Sequence, residues 1–558
     1  MQKCNTITHT IKDLIVNALN KTLKEAGKSL NVLHYEKIFV DKTKHMKFGD
    51  FASNVLLIID CFKNKSNNFI NKFIDNIESS IFAKIEVAKN GFVNFYLNNQ
   101  TKTNLINEIC TKKDKYGFFT KNNISYNIEF VSANPTGLLH VGHARNAAYG
   151  DSLARIFIAN GFKVDREYYI NDGGNQINKL ALSVLIRYLQ QFDVDVSLPE
   201  DSYHADEIID IAKLLKEKYS DKYLHAMFDI NTKILDKKTN EEISRFAINY
   251  LLEQIKLDLA KLDVHMDVWS PESNIYKHNL INETLSKLQK YIYEKDNAKW
   301  LKTTNFGDDK DRVLVKSDGS YTYFTPDIAY HNLKLSRGYD KIINIWGADH
   351  KSYVERMSIA IQMLNYKKTQ MHVAIMQMIS LTKNGKPFKM SKRSGDSFTT
   401  RDLVNLIGKD AARWYLVSQS LSTHINIDIE KTKSKNEENG LFYVQYAYVR
   451  INQILKKTNL PIINRCDLLT DSCEKEIINH LLFFMPTIQN ITKSYEVHKM
   501  CLYLINLAKL VHSYYEKIKI IDDSNKILTS QRLFLITAIS HIIKNGLKLI
   551  GCDVKERM

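Results

Sequence analysis

Two short segments of the chain carry residue types that could act on a nucleotide. The first is His140-Val141-Gly142-His143. Two imidazoles at this spacing can donate to phosphate oxygens, and the glycine between them lets a flat base come close to the backbone. The second, Phe388-Lys389-Met390-Ser391-Lys392-Arg393-Ser394-Gly395, lies far downstream in a polar, glycine-flanked stretch. Its two lysines can swing onto a triphosphate as point charges. The chain has no Gly-x-x-x-x-Gly-Lys-[Ser/Thr], so these two segments must carry any nucleotide chemistry. By itself a His-x-Gly-His is as readily a pair of caps or core residues. The lysine segment tilts the balance toward phosphate.

The element that must position the histidines begins as a strand, in which Tyr126, Ile128 and Phe130 alternate with Asn127, Glu129 and Val131. Asn134-Pro135-Thr136-Gly137 breaks it, and residues 142–148 open a helix that runs to about Asn160 and is ended by Gly161. A strand, a turn and a helix N-terminus together make an anion site, because free N–H groups and the helix dipole face the turn. Strands and helices alternate from Tyr126 onward, which argues for a parallel sheet with crossover helices. A second strand is expected at 164–170. Residues from about 185 to 300 are mostly helical and charged and interrupt the pattern. The sheet is expected to resume with Arg312–Val315, Lys341–Gly347 and Met371–Met376, with ligands at the carboxyl ends of the strands.

Residues 1–110 read as a separate small α+β domain. Ile7, Ile11, Leu14, Ile15, Ala18 and Leu19 mark one face of a helix, residues 47–54 are expected to start another, and 91–97 alternate as a strand. A linker at 112–117 leads to the catalytic α/β unit, of Rossmann type, over 120–400. From 401 to 558 helix-period apolar residues dominate, for example Leu504, Leu507, Ala508 and Val511, so this part is expected to be all α.

With 558 residues the chain is long enough for several cores. Its net charge of +16 suits a polyanionic partner, although lysine is abundant throughout. Seven scattered cysteines without a Cys-x-x-Cys pair argue against a zinc site or a disulfide framework. The first residues lead into an amphipathic helix, and no apolar run reaches membrane-spanning length. A cytoplasmic protein without membrane contact is expected.

Together and in this order, the histidine and lysine segments resemble the signature pair of class I aminoacyl-tRNA synthetases. The flanking residues narrow the likeness. Glu129 with Asn134-Pro135-Thr136-Gly137, Lys409-Asp410-Ala411-Ala412-Arg413-Trp414-Tyr415, and Tyr443-Val444-Gln445-Tyr446-Ala447-Tyr448-Val449-Arg450 are similar to arginyl-tRNA synthetases. So are Gly49-Asp50-Phe51-Ala52, Gly91-Phe92-Val93-Asn94-Phe95 and the terminal Glu556-Arg557-Met558, so the resemblance covers nearly the whole chain. Other class I enzymes, such as the cysteine or glutamate enzyme, lack these flanks. A small-molecule nucleotidyl transferase would not need the long helical, basic C-terminus, and a dead RNA-binding paralogue would not need both histidines and both lysines.

The resemblance implies an N-terminal tRNA-binding domain, a Rossmann catalytic domain with helical insertions, and an all-α anticodon-binding domain. It implies ATP with Mg²⁺, L-arginine and tRNA as cofactors and partners, no metal site built by the protein, and a monomer. It implies that His140, His143, Lys389 and Lys392 are catalytic, and that Gly142, Gly347, Asp349, Met390 and Ser391 join them around ATP. It places Glu129, Asn134, Tyr323 and Asp327 on arginine, where carboxylates at strand ends suit a cation. Tyr443, Gln445, Tyr446, Arg450 and Met558 are the expected tRNA contacts, the tyrosines as stacking platforms. Tyr443, Tyr446 and Tyr448 cannot all point one way at their helical spacing, so at least one of them is expected in the core. Activation is also expected to require tRNA.

Overall fold

The protein is described by a computed structural model over residues 6–25, 36–43, 45–58, 67–78, 80–388 and 398–558. Lys389, Met390, Ser391 and Lys392 therefore lie outside the described residues.

The helix Ile7–Glu25 buries Ile11, Ile15, Ala18 and Leu19 against a four-stranded antiparallel sheet of Val40–Lys42, Phe51–Ser53, Val93–Leu97 and Phe82–Val87. Residues 47–54 do not start a helix. They form a 3-10 turn at Met46–Phe48 and then the strand Phe51–Ser53. Gly49 decides this: its φ is 91°, and a Cβ there would lie 2.7 Å from the Phe95 carbonyl. Asp50 accepts from the Leu97 amide at 2.7 Å, which pins the turn to the neighbouring strand.

The central sheet is all parallel. Its elements in chain order are β1 (Ser125–Glu129), α1 (Val141–Ala159), β2 (Lys163–Ile170), α2 (Gly174–Gln190), α3 (Asp206–Tyr219), α4 (Lys237–Lys261), β3 (Val268–Pro271), α5 (Phe324–Ser336), β4 (Lys341–Gly347), α6 (Tyr353–Met363) and β5 (Met371–Met376). The strand order is β5-β4-β1-β2-β3. The chain runs outward from β1 to β3, then returns to the other side of β1 for β4. That reversal opens a crevice at the carboxyl ends of β1 and β4, where open α/β sheets bind ligands. Gly161, at φ 84°, ends α1, and a Cβ there would meet the Thr120 carbonyl at 2.3 Å.

Two strands differ from the sequence-based expectation. Arg312–Val315 is not part of the parallel sheet; it joins Ile292–Lys295 and Ala298–Leu301 in a separate antiparallel one. The left-handed pair Asp296 and Asn297 makes a tight hairpin there, and its second strand then recruits Arg312–Val315. The vacant place is taken by β3, a four-residue strand ending in a proline whose signal was lost among charged helices. The helices α2, α3 and α4 before it share their own core around Leu185, Ile211 and Leu251.

Beyond the lysine stretch one strand remains. β7 (Ile425–Asp428) pairs in parallel with β6 (Ile379–Lys383). The rest is helical, with α7 (Gly440–Lys456), α8 (His498–Lys517) and α9 (Lys526–Leu549) packed together through residues such as Val444, Leu507 and Ile539. Arg413 fastens this part to the sheet unit. It is fully buried and donates to Asp151 Oδ2 at 2.7 Å, the Leu262 carbonyl at 2.7 Å and the Ile550 carbonyl at 2.8 Å.

Candidate active site at the sheet switch point

A cavity of about 730 Å³ opens at the carboxyl ends of β1, β4 and β5. Glu129, Asn134, His140, Gly142, His143, Asp327, Gly347 and Asp349 all line it. The fold thus gathers three of the expected acids, two imidazoles and two glycines from four segments.

The two histidines are indeed helix caps. The Gly142 amide donates to His140 Nδ1 at 3.0 Å, and the His140 amide donates to His143 Nδ1 at 3.3 Å. The rings stack with centroids 3.7 Å apart. Burial lowers the tendency of both to protonate, taking His143 down to about 3 with help from His140. With each Nδ1 accepting, the proton of each neutral ring is on Nε2. The caps therefore fix the tautomer in which each Nε2–H can donate, an arrangement compatible with binding an anion. Gly142 serves this too, since a Cβ there would lie 2.9 Å from His140 Cε1.

The turn after β1 is strained. The Ser132 amide donates to the Phe130 carbonyl at 3.1 Å around Val131, whose φ is 69°, and Ser132 follows at φ 42°. A β-branched residue at positive φ is an outlier that its surroundings must enforce. The Val131 amide donates to Asn146 Oδ1 at 3.0 Å, and Asn146 Nδ2 donates to the Ile345 carbonyl at 3.2 Å. Asn146 thereby ties the β1 turn to β4. Ser132 Oγ donates to Glu129 Oε1 at 3.0 Å and accepts from the Tyr169 amide at 3.1 Å.

Glu129 ends β1 and is buried, with Oε2 2.7 Å from Lys334 Nζ. Asp327 lies on the first turn of α5 and accepts from the Tyr353 hydroxyl at 2.7 Å. Burial pushes the Asp327 carboxyl up to about 7; the Tyr353 bond opposes this, and Glu272 and Glu129 add to it. Asn134 is exposed and donates to Gln176 Oε1 at 2.6 Å. Asp349 is largely exposed, beside His350.

Two expected site residues are placed elsewhere. Tyr323, expected on arginine, is 90 % exposed and outside the cavity wall, because it caps α5 one turn before Asp327. Tyr353, from α6, supplies the aromatic hydroxyl at the acid instead. Gln445, expected on tRNA, is buried, and its Nε2 donates to the Asp553 carbonyl at 2.7 Å, tying α7 to the C-terminal tail. Asn146, Ser132, Tyr353 and Lys334 were missed as site residues. Asn146 alone had a signal, directly after the histidine segment.

The lysine segment has described neighbours on both sides. The Phe388 and Phe398 rings lie 5.6 Å apart, and Phe398 lines the cavity. The Val141 amide donates to the Phe398 carbonyl at 3.3 Å and the Thr400 amide to the Leu139 carbonyl at 2.7 Å. Residues on either flank thus meet beside the histidine helix.

On α7, Tyr443 and Tyr446 both pack on His512, at 4.4 and 5.6 Å between centroids, and Arg450 covers Tyr446 at 4.7 Å. Tyr448 packs toward the core. Met558 is exposed.

Comparison with known proteins matches three families in succession along the chain. Residues 105–453 match the family "tRNA synthetases class I (R), catalytic domain", residues 9–97 match "Arginyl tRNA synthetase N terminal domain", and 444–558 match "DALR anticodon binding domain". The chain is 49 % identical over 564 residues to a Malacoplasma penetrans protein named arginine–tRNA ligase, covering 99 % of each. A Ureaplasma parvum protein of the same name is 45 % identical, over 98 % of this chain and 100 % of that one. The solved Thermus thermophilus arginyl-tRNA synthetase shares the fold with a TM-score of 0.75 at 18 % identity, over 99 % of this chain and 100 % of that one.

Proposed function

The chain belongs to the arginyl-tRNA synthetase family, and on that premise we propose that the switch-point cavity is where arginine is activated and then passed to tRNA. The enzyme ligates L-arginine to its tRNA in an ATP-dependent reaction through an arginyl-adenylate. The single observation that best supports this site is that Glu129 and Asp327 share one cavity with the Nε2 edges of His140 and His143. One half suits a cation and the other an anion.

Arginine enters with its cationic groups toward Glu129 and Asp327 and with Asn134 at the rim. ATP lies over Gly142, with Gly347 and Asp349 beside it. An oxygen of the arginine carboxylate attacks the α-phosphorus, the bond to the bridging oxygen breaks, and pyrophosphate leaves. Such transfer needs positioning and charge neutralisation more than covalent help. His140 and His143 donate to the phosphate oxygens, and Lys389 and Lys392, with Met390 and Ser391 between them, neutralise the leaving pyrophosphate. A hydroxyl of the terminal adenosine of tRNA then attacks the arginyl carbonyl carbon and AMP leaves.

Among the described residues no group of three or more His, Cys, Asp or Glu side chains could hold a metal ion. Mg²⁺ accordingly belongs with the triphosphate, whose oxygens suit it. Tyr443, Tyr446, Arg450 and Met558 are the proposed tRNA contacts at the C-terminal end. No helix of the described residues is long and apolar enough to cross a membrane, and we take the protein to be a cytoplasmic monomer. The test is aminoacylation of total tRNA with each of the twenty amino acids separately. Arginine alone should be charged; charging of another amino acid in preference would overturn the reading.

A further inference from the structure

Three polar residues sit side by side in register across the middle of the sheet: Asn344 on β4, Glu129 on β1 and Glu167 on β2. In-register residues of neighbouring strands project to the same face, and the central strands of a covered parallel sheet are normally apolar there. All three are buried. Helix α5 covers this row with Tyr330, His331, Lys334 and Arg337.

The pairing is selective. Glu167 takes both oxygens to Arg337 Nη1, at 3.0 and 2.9 Å, and also accepts from Tyr330, Ser270 and Asn127. It does not line the cavity, and against the effect of burial the nearby Lys334 charge, with Ser270 and Arg337, holds its carboxyl below the usual range. Lys334, with no exposed surface, has two polar partners, Glu129 Oε2 at 2.7 Å and Asn344 Oδ1 at 2.6 Å. Asn344 Nδ2 donates to His331 Nε2 at 2.9 Å, and the opposite ring nitrogen then donates to the Asp327 carbonyl at 2.8 Å. Burial, ahead of the nearby Lys334 charge, holds His331 neutral, at about 4. The chain of bonds thus runs from the Glu129 carboxylate to the backbone carbonyl of Asp327.

We propose that Lys334 is a positioning residue for arginine recognition: it clamps one oxygen of Glu129 and sets its place relative to Asp327 through Asn344 and His331. The inference rests on the reading of Glu129 as an arginine ligand. Lys334 has no exposed surface and does not line that cavity, so it acts on the substrate through Glu129. With Ser132 on Oε1 and Lys334 on Oε2, the carboxylate is fixed before arginine arrives, which spares the ordering cost on binding.

The experiment is arginine and ATP binding by calorimetry at pH 7 for the wild type, Lys334→Met, Lys334→Gln and Glu129→Gln, with thermal melts of each. Lys334→Met should weaken arginine on the order of tenfold or more and leave ATP within about twofold of the wild type. Lys334→Gln keeps a donor toward Glu129 and loses the charge, so it should fall between Lys334→Met and the wild type, and it carries the test if Lys334→Met does not fold. Unchanged arginine affinity in the folded variants, or an equal loss of arginine and ATP binding, would overturn the proposal. Normal arginine binding by Glu129→Gln would instead overturn the assignment of the pocket.

Discussion

Tyr353 on α6 donates its hydroxyl to Asp327 on α5 across 2.7 Å, at one of the acids that line the cavity. Burial raises that carboxyl to about 7, so over the physiological range it changes from neutral to charged. The charged form is the one that attracts a cation. The Michaelis constant for arginine should therefore fall about tenfold from pH 6 to pH 8, the ratio of ionised fractions for a group titrating near 7. A flat profile for arginine would contradict the role of Asp327.

The same shift carries a stability consequence. A carboxyl raised in the folded state contributes stability that is fully present below its ordinary range near 4 and is lost as pH climbs through 7. Asp327→Asn should thus melt at a higher temperature than the wild type at pH 8, with the difference vanishing toward pH 4. Arginine binding should be weakened at pH 8. Equal melting temperatures at pH 8 would show that the buried charge costs nothing.

Gly142→Ala tests whether the caps serve catalysis. Its Cβ would press on the His140 ring at 2.9 Å and turn it away from the amide that fixes its tautomer. Pyrophosphate exchange should drop by at least ~10-fold, the range of one misdirected donor to a developing charge, while the melting temperature changes little. A fully active variant would separate the cap from the chemistry.

Lys389→Ala and Lys392→Ala should each slow adenylate formation by roughly 2–4 kcal/mol in the activation barrier, because the leaving pyrophosphate gains charge in the transition state. Arginine affinity should stay within twofold of wild type, as a ~0.4 kcal/mol change would allow. Single-turnover kinetics separates the two. Unimpaired exchange in both variants would remove these lysines from the reaction.

Arg413→Met should destabilise the protein by about 1–3 kcal/mol, since it leaves the buried Leu262 carbonyl without this donor, while Asp151 keeps Arg155 and Arg166 and the Ile550 carbonyl keeps Ser152. The carbonyl of Ile550 comes from the C-terminal turn, so limited proteolysis should release the helical C-terminal part first. Gly551→Ala should act alike, its Cβ meeting the guanidinium at 2.1 Å. Wild-type melting of either variant would show that the joint is held elsewhere.

Residue types and periods within one segment fixed a good deal before any coordinates. The strand β1, the helix α1 with its glycine stop, and the strands β2, β4 and β5 follow from local alternation, from 3.6-residue periodicity and from Gly161, all of which act over a few residues. The histidine segment and the acids Glu129 and Asp327 were legible for a related reason. Their residue types and local order match a family pattern, and the fold brings them to one cavity. Tertiary structure alone decided the rest. Whether Arg312–Val315 or Val268–Pro271 completes the sheet depends on which edge is free once a left-handed hairpin has formed, and no property of either four-residue run states that. Tyr323 and Tyr353 are alike as residues, yet only the packing of α6 beside α5 turns one of them toward Asp327 and leaves the other in solvent. Lys334 looks in the sequence like any solvated helix lysine. It becomes the partner of Glu129 because residues 205 apart in the chain meet where α5 packs on the sheet, in a buried place where an unpaired charge is too costly to leave alone.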